Sequence, residues 1–137
     1  MDNGVEVAAT YAGPVSLTSS RVSGCITTSG IVIRGGPERI TLSDVEIDNC
    51  GAFGIALTGA ALHIKIVECD IRNCTLGAIL INDTTADYLY IWGNDYSTGN
   101  GSGITNNSTG THNHIQDISP LIAERYSTLG TVASTGD

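Results

Sequence analysis

"DNCGAFGIAL", residues 48–57, returns in altered form as "RNCTLGAIL" at residues 72–80. Both copies place an Asn-Cys pair before a glycine and a short apolar run. Around these copies, four longer segments align, and they begin at Val15, Ile40, Ile64 and Leu89, which are 25, 24 and 25 residues apart. A period of roughly 20–50 residues is typical of architectures that stack like units on one another.

Each unit contains three short strands. Apolar residues at its first and third places predict a strand with one buried face. The apolar residue at the eighth place lies out of phase with them, so we expect a corner between the two strands. The corner residues are Ser19, Asp44, Glu68 and Gly93. A third strand follows the glycine at 30, 54, 77 or 103. Three short strands cannot bury an apolar face alone, so the sequence predicts an all-β fold, a parallel β-helix with one coil per repeat.

The repeat also explains three of the four cysteines. Cys25, Cys50 and Cys74 occupy one place in successive coils. Free cysteine behaves as a small apolar residue, so we expect an inward stack of thiols. A disulfide between stacked neighbours is the alternative, because their Cα atoms come within range. Since no CxxC pair occurs, the spacing matches no zinc signature.

Two of the units, "ITLSDVEIDNCGAFGIAL" and "IKIVECDIRNCTLGAIL", resemble the coils of the pectin-lyase-like superfamily, including an asparagine after the second strand (Asn49, Asn73). The resemblance covers residues 15–115. It implies a right-handed, single-stranded parallel β-helix of about four to five coils of 24–25 residues. We expect a cap or arm at 1–14 and a cap with a flexible tail at 116–137. The superfamily includes polysaccharide lyases and hydrolases, uronan epimerases and bacteriophage tailspikes, so the fold alone does not fix an activity.

Charge and hydropathy exclude several classes of partner. The net charge is −8 with a single lysine, Lys65, whereas nucleic-acid binding depends on clustered Lys and Arg. No apolar run approaches the roughly 18 residues of a membrane span. The first residues, "MDNGVEVAAT", are acidic and lack the pattern of a signal peptide. We therefore expect a protein assembled in the cytoplasm of a host cell, with neither nucleic acid nor membrane as partner.

The third strands lack the catalytic residues of the pectate-lyase branch of the superfamily. In those enzymes, carboxylates and basic residues point outward from this strand, because proton abstraction from a uronate needs a base and a cation. The outward places here are predicted to be Val32, Arg34, Ala56, Thr58, Ile79, Ile81, Thr105 and Asn107. The apolar members Val32, Ile79 and Ile81 instead predict an interface with another subunit, or a surface covered by a chain terminus.

A second outward column is acidic. Glu46, Asp70 and Asp95 follow Arg21 in successive coils, which brings neighbouring carboxylates about 5 Å apart, near the separation in a retaining glycosidase. An acid and a nucleophile could arise there, since close like charges raise one pKa. A cation site and a solvated acidic edge tempered by Arg21 and Arg72 are the alternatives.

Aromatic residues concentrate in the fourth unit, "YLYIWGNDY". Tyr96 is predicted to point inward, and Tyr90 and Trp92 outward beside Lys65 and Val67. Flat amphipathic rings on a polar surface suit either an interface or stacking on a sugar.

Two histidines, His112 and His114, lie two residues apart and could face one way to bind a transition metal. The pair resembles the HxH element of phage tail-fibre and spike tips, in which three chains bind one metal. The alternative places His114 in a stack with Tyr88 and His63. Four sites also match the N-glycosylation pattern, at Asn73, Asn100, Asn106 and Asn107, which we expect to be coincidental.

The sequence therefore favours a non-catalytic structural or receptor-binding β-helix of a bacteriophage virion, either a tailspike segment or a surface decoration. We expect a homotrimer that contacts other virion proteins and bacterial surface polysaccharide, without a cofactor. The alternatives are a polysaccharide lyase or glycoside hydrolase, whole or in part, and a carbohydrate-binding module.

Overall fold

A computed structural model describes residues 4–7, 14–34, 39–59 and 62–116. Every regular element within these ranges is a β-strand, and every pair of neighbouring strands is parallel. In chain order the strands are β1 (Val5–Val7), β2 (Val15–Ser23), β3 (Ile31–Ile33), β4 (Ile40–Cys50), β5 (Phe53–Leu57), β6 (Ile64–Val67), β7 (Asp70–Cys74), β8 (Gly77–Ile81), β9 (Tyr90–Trp92), β10 (Ile104–Asn106) and β11 (His114–Ile115).

The strands form two stacks in which neighbours are one repeat apart. One sheet has the order β1-β3-β5-β8-β10, and the other has the order β11-β9-β6-β4-β2 with β7 also paired to β4. The long strand β4 pairs with β6 through Ile40–Ser43 and with β7 between Glu46 and Cys50. The chain therefore rises by one coil per repeat, as the predicted parallel β-helix requires, with about four turns.

The predicted corners are confirmed by the backbone. Ser19, Asp44, Glu68 and Gly93 have φ values of 47°, 56°, 54° and 70°. This left-handed conformation reverses the alternation of side chains by one place, which is why the inward residues change phase there. Asn49 and Asn73, at φ 60° and 56°, make a second corner before the third strand.

The core consists of columns of like residues stacked between coils. Ile31, Ile55 and Ile79 pair in register and are almost fully buried, as are Ile33, Leu57 and Ile81. The core also includes Ile40, Leu42, Ile47, Ile64, Ile66, Ile71 and Ile91. Burial of this apolar surface is the main favourable term for a chain with so few charged residues.

The expectation that Ile79 and Ile81 face outward is wrong, because both side chains have 0% exposure inside the core. The sequence alignment matched Gly77 with Gly54, whereas the pairing of Ile55 with Ile79 makes Ala78 the counterpart of Gly54. A slip of one residue turns every side chain of a strand to the opposite face. Leu80 is the outward residue, in register with Ala56 and Val32.

Val32 does point away from the core, but it is only 6% exposed. The apolar outward face of the third strands therefore contains less accessible apolar surface than the sequence predicted.

The predicted thiol stack is confirmed. Cys25, Cys50 and Cys74 are buried free thiols, and Cys50 pairs with Cys74 in register. Burial raises the pKa of Cys25, which keeps that thiol protonated at neutral pH. Cys69 lies in a different inward column, and burial raises its pKa to about 11.

The ends of the stack relate to the predicted boundaries in different ways. Strand β1 lies within the predicted arm at 1–14 and pairs with β3. At the other end the coil continues to Gln116, whose N–H donates to Ile91 O at 2.8 Å. The cap and tail predicted for 116–137 otherwise lie outside the described residues.

Candidate functional site

Tyr90 and Trp92 form what we call the aromatic platform. Both lie on β9, two residues apart, so their side chains project from the same outward face. They are 44% and 47% exposed, and their ring centroids lie 6.5 Å apart at an interplanar angle of 31°. Register places Lys65 beside Tyr90 and Val67 beside Trp92, as predicted.

The inward side of the same coil holds the platform in place. Ile91, which lies between Tyr90 and Trp92 in the sequence, points inward and is fully buried. Tyr96 is 8% exposed, which confirms its predicted inward position. Asn94 is fully buried; its Oδ1 accepts from Cys69 N at 2.8 Å and its Nδ2 donates to Ile66 O at 3.0 Å. The rings therefore stand on a strand that is anchored by packing and by hydrogen bonds to the preceding coil.

The predicted acidic column is confirmed in its placement. Arg21 pairs in register with Glu46, Glu46 with Asp70, and Asp70 with Asp95. Glu46 lies 3.2 Å from Arg21 Nε and 3.6 Å from Arg72 Nη2. Arg72 Nη1 also donates to Asp70 Oδ2 at 3.1 Å.

A shallow concavity of about 330 Å³ lies along this column, on the corner between the first and second strands. Its lining comprises Ser19, Ser20, Arg21, Asp44, Val45, Glu46, Glu68 and Asp70. Burial raises the pKa of Asp70; Arg72 opposes this shift, and Asp95 and Glu46 add to it by like-charge repulsion. Two neighbouring carboxyls, one of which has a raised pKa, are the arrangement that an acid–base pair uses.

His112 and His114 lie in different columns of side chains. His112, not His114, stacks on Tyr88, with ring centroids 4.4 Å apart, and Tyr88 stacks on His63 at 4.8 Å. The sequence placed His114 in this stack, which is wrong, because β11 pairs His114 with Tyr90.

The imidazole of His112 has a carboxylate partner that no sequence pattern indicates. Asp87 Oδ2 lies 2.9 Å from His112 Nδ1, and Asp87 Oδ1 accepts from the N–H groups of Tyr88 and His112. The hydrogen bond from His112 holds the pKa of the Asp87 carboxyl below its usual range. Asp87 therefore fixes the outermost ring of the stack.

Two further observations concern metals and membranes. No group of three or more His, Cys, Asp or Glu suited to a metal ion occurs in the part of the chain that the structure describes. The same residues contain no helix with the length and hydropathy needed to cross a bilayer.

The comparisons with known proteins agree with the fold. A family model of the right-handed β-helix region matches residues 3–134, which is nearly the whole chain. No curated protein and no solved structure matches the chain significantly. From the coil repeat, the stacked parallel strands and this match, we conclude that the chain belongs to the right-handed β-helix family.

Proposed function

We propose that this β-helix is a non-catalytic recognition module that contacts polysaccharide through the aromatic platform of Tyr90 and Trp92. One observation carries the proposal: two large rings stand side by side, each nearly half exposed, on an outward face of a coil whose other exposed residues are mainly polar. Aromatic rings combine an apolar face with polar edges, which suits them to the faces and hydroxyl groups of sugar rings.

The platform is also prepared for binding before a ligand arrives. Trp92 and Tyr90 belong to a paired strand, and Ile91 between them is locked into the core. A binding surface whose backbone is already ordered loses less conformational entropy on association. This favours a recognition surface over an incidental exposure of apolar rings.

The setting that we propose for the module is a bacteriophage virion, in a tailspike segment or a surface decoration, as a homotrimer. This part rests on the resemblance to a superfamily whose members include bacteriophage tailspikes. The apolar interface predicted on the third strands gives the trimer less support, because Ile79 and Ile81 belong to the core. Measurement of the mass in solution by light scattering tests the trimer, and a monomer at micromolar concentration would contradict it.

A glycoside hydrolase is the second candidate, and the acidic column favours it. Glu46 and Asp70 are in register in neighbouring coils, and the pKa of Asp70 is raised. Against this, Arg72 forms ion pairs with both carboxylates, at 3.6 Å to Glu46 Oε1 and 3.1 Å to Asp70 Oδ2, and it opposes the rise in the pKa of Asp70. If the chain is a hydrolase, the variant with Glu46→Gln, Asp70→Asn and Asp95→Asn should lose all depolymerising activity toward a polysaccharide that the wild type cleaves.

The recognition proposal is tested on an array of bacterial and plant polysaccharides. We expect wild-type protein to bind at least one glycan and Trp92→Ala to lose that binding. Leu76→Ala provides the matched control, because Leu76 is an apolar residue with 55% exposure away from the platform. Equal binding by wild type and Trp92→Ala, or no binding to any glycan by wild type, would contradict the proposal.

A further inference from the structure

The first strands of the coils share an outward face, the first-strand face, that carries no carboxylate among the described residues. Its side chains are in register from coil to coil and form two columns. One column comprises Ser16, Thr41, Lys65, Tyr90 and His114, and the other comprises Thr18, Ser43, Val67 and Trp92. The whole chain has 14 Asp and Glu residues against 6 Lys and Arg. An acidic chain therefore places its aromatic platform on a face that carries a lysine and no acidic side chain.

Lys65 is the single lysine of the chain, and it is exposed. Arg21, Arg34 and Arg72 each form an ion pair with a carboxylate. Within the described ranges, Lys65 forms none. Its register neighbours on β4 and β9 are a threonine and a tyrosine, neither of which is acidic. The ion pairs of the fold therefore do not account for a cation beside the platform.

Acidic residues lie at the borders of the first-strand face and not on it. Glu68 occupies the corner three residues beyond Lys65, and Asp87 pairs with Leu62, which is three residues before Lys65. Three residues of strand correspond to about 10 Å between Cα atoms. Between exposed charges, an interaction over that distance is largely screened at physiological ionic strength. The charge that a ligand meets on the platform is therefore mainly that of Lys65.

We infer that Lys65 is a specificity-determining residue, which pairs with a carboxylate or sulfate group of the glycan bound on the aromatic platform. The inference deepens the proposed function and rests on it. Because β6 and β9 are neighbouring strands, the Cα atoms of Lys65 and Tyr90 lie about 4.8 Å apart. The lysine ammonium is a compact charge on a flexible stem. A sugar ring stacked on Tyr90 can thus accept a charge-assisted hydrogen bond from Lys65 Nζ through an anionic substituent.

Residues farther from the platform also suit an acidic glycan. Beyond Lys65 the first-strand face continues with the hydroxyl side chains of Thr41, Ser43, Ser16 and Thr18. Hydroxyl groups donate hydrogen bonds to sugar oxygens and to anionic groups alike. Arg39, which directly precedes β4, is exposed and also has no ion-pair partner within the described ranges. A glycan that crosses the strands from the rings toward β4 therefore meets donors and cations.

The test compares probes that share a backbone and differ in charge. Oligoglucuronate is paired with its methyl ester, and sulfated oligodextran with oligodextran, so the two pairs distinguish a carboxylate from a sulfate. Binding to the full-length protein is followed by the fluorescence of Trp92, the sole tryptophan of the chain. We expect the wild type to bind at least one anionic probe about tenfold or more tightly than its uncharged counterpart, because a hydrogen bond to a charged group contributes about that factor.

Two substitutions separate the charge of Lys65 from its bulk. Lys65→Gln should abolish most of the preference for the anionic probe, whereas Lys65→Arg should keep it, because the positive charge remains. Raising the salt concentration from about 0.1 M to about 1 M shortens the Debye length from about 10 Å to about 3 Å. The wild type should therefore lose affinity for the anionic probe, and Lys65→Gln should change little. If Lys65→Arg loses the preference as fully as Lys65→Gln, the charge is not what Lys65 supplies, and the inference is wrong.

Arg34→Gln is the control matched in net charge. Arg34 follows β3 on the other sheet, where its Nε lies 2.6 Å from Glu6 Oε2 in an exposed ion pair. The loss of an exposed ion pair changes stability little, so this variant should bind both probes of each pair like the wild type. If Arg34→Gln weakens anionic binding as much as Lys65→Gln does, the overall charge and not the position of Lys65 is responsible, which would overturn the inference.

The outcomes separate this inference from the proposed function. If Trp92→Ala abolishes binding on the polysaccharide array but Lys65→Gln binds every glycan like the wild type, the role of Lys65 is wrong and the recognition module stands. The same holds if the wild type binds an uncharged glycan at least as tightly as any anionic one, on the array or in the titrations. A wild type that binds none of the probes or arrayed glycans would overturn both proposals.

Discussion

The second and fourth coils fill the same three inward places with different chemistry. In the second coil these places are occupied by the apolar side chains of Val45, Ile47 and Cys50, whereas in the fourth they are occupied by Asn94, Tyr96 and Asn100, each of which carries a polar group. The apolar set packs between two neighbouring strands. The polar set lies where strand pairing has been reduced to an isolated bridge between Asp70 and Asp95.

The two asparagines supply hydrogen bonds that a neighbouring strand would otherwise make. Asn94 accepts from Cys69 N and donates to Ile66 O. Asn100 does the same one strand later, accepting from Cys74 N at 3.0 Å and donating to Ile71 O at 2.7 Å. Buried backbone groups must be paired. The side-chain amides of the fourth coil therefore pair backbone groups of the third coil, although the fourth coil has no regular strand there. The comparison teaches that stability in the middle coils comes from packing, and in the fourth coil from polar pairing as well.

The largest expected effect comes from the packed coils. Ile71→Ala removes a fully buried side chain from the inward column and should lower the free energy of unfolding by about 3–4 kcal/mol, since a cavity adds to the lost transfer energy. Ile26→Ala is the matched control, because Ile26 is 72% exposed; its effect should stay within about 0.5 kcal/mol. Denaturation in urea measures both, and equal losses would contradict the assigned register.

The next effect tests the polar pairing. Asn94→Val gives the fourth coil the residue of the second; it leaves Cys69 N without its acceptor and removes the hydrogen bond from Asn94 Nδ2 to Ile66 O. We expect a loss of about 2–3 kcal/mol, because a buried unpaired N–H is costly and a buried hydrogen bond is lost as well. Cys69→Val, in the same column of the third coil, should cost less than about 1.5 kcal/mol. If Asn94→Val stabilises the protein in urea denaturation, the fourth coil is held by packing like the others.

The sequence predicts those features of the fold that repeat from coil to coil. The coil repeat, the corners at Asp44 and Glu68 and the cysteine column could be predicted, because stacked coils repeat their inward residues. The positions of Ile79 and Ile81 could not, since adjacent residues Gly77 and Ala78 both fit the pattern and only strand pairing distinguishes them.

The site was predicted in the same uneven way. The aromatic platform and the acidic column follow from alternation along a strand. The amide bonds of Asn94 and Asn100 do not, because they depend on backbone groups one coil away that no local pattern reveals.

A smaller effect is expected in the thiol column. Cys50→Ser places a hydroxyl between Cys25 and Cys74 and should cost about 1–2 kcal/mol, since a buried hydroxyl replaces a weakly polar sulfur. Cys25→Ser, at the first position of the column, should cost less. Native protein should also resist alkylation at Cys50 and Cys74, as followed by mass spectrometry. Rapid modification of both without unfolding would place them outside the core.

The smallest effect concerns Asp70, whose raised pKa means that the folded state binds its proton more tightly than the unfolded chain does. Its ionisation therefore lowers stability as the pH rises from the ordinary pKa of an aspartate through the raised value. Asp70→Asn removes this loss, so the variant should gain stability relative to the wild type on going from acidic to neutral pH. Thermal melts at several pH values measure the difference. If the wild type instead gained stability relative to Asp70→Asn over the same pH range, the pKa of Asp70 would be lowered by folding and not raised.

Strand β4 bears a like neighbour on each side, β2 before it and β6 with β7 after it. A tandem duplication of the segment 40–63 would therefore pack the added coil against neighbours like those that it already has. It would lengthen the β-helix by about 4.8 Å. Growth or shortening of such a molecule in evolution needs only recombination between neighbouring repeats, without any new solution to the packing of its interior.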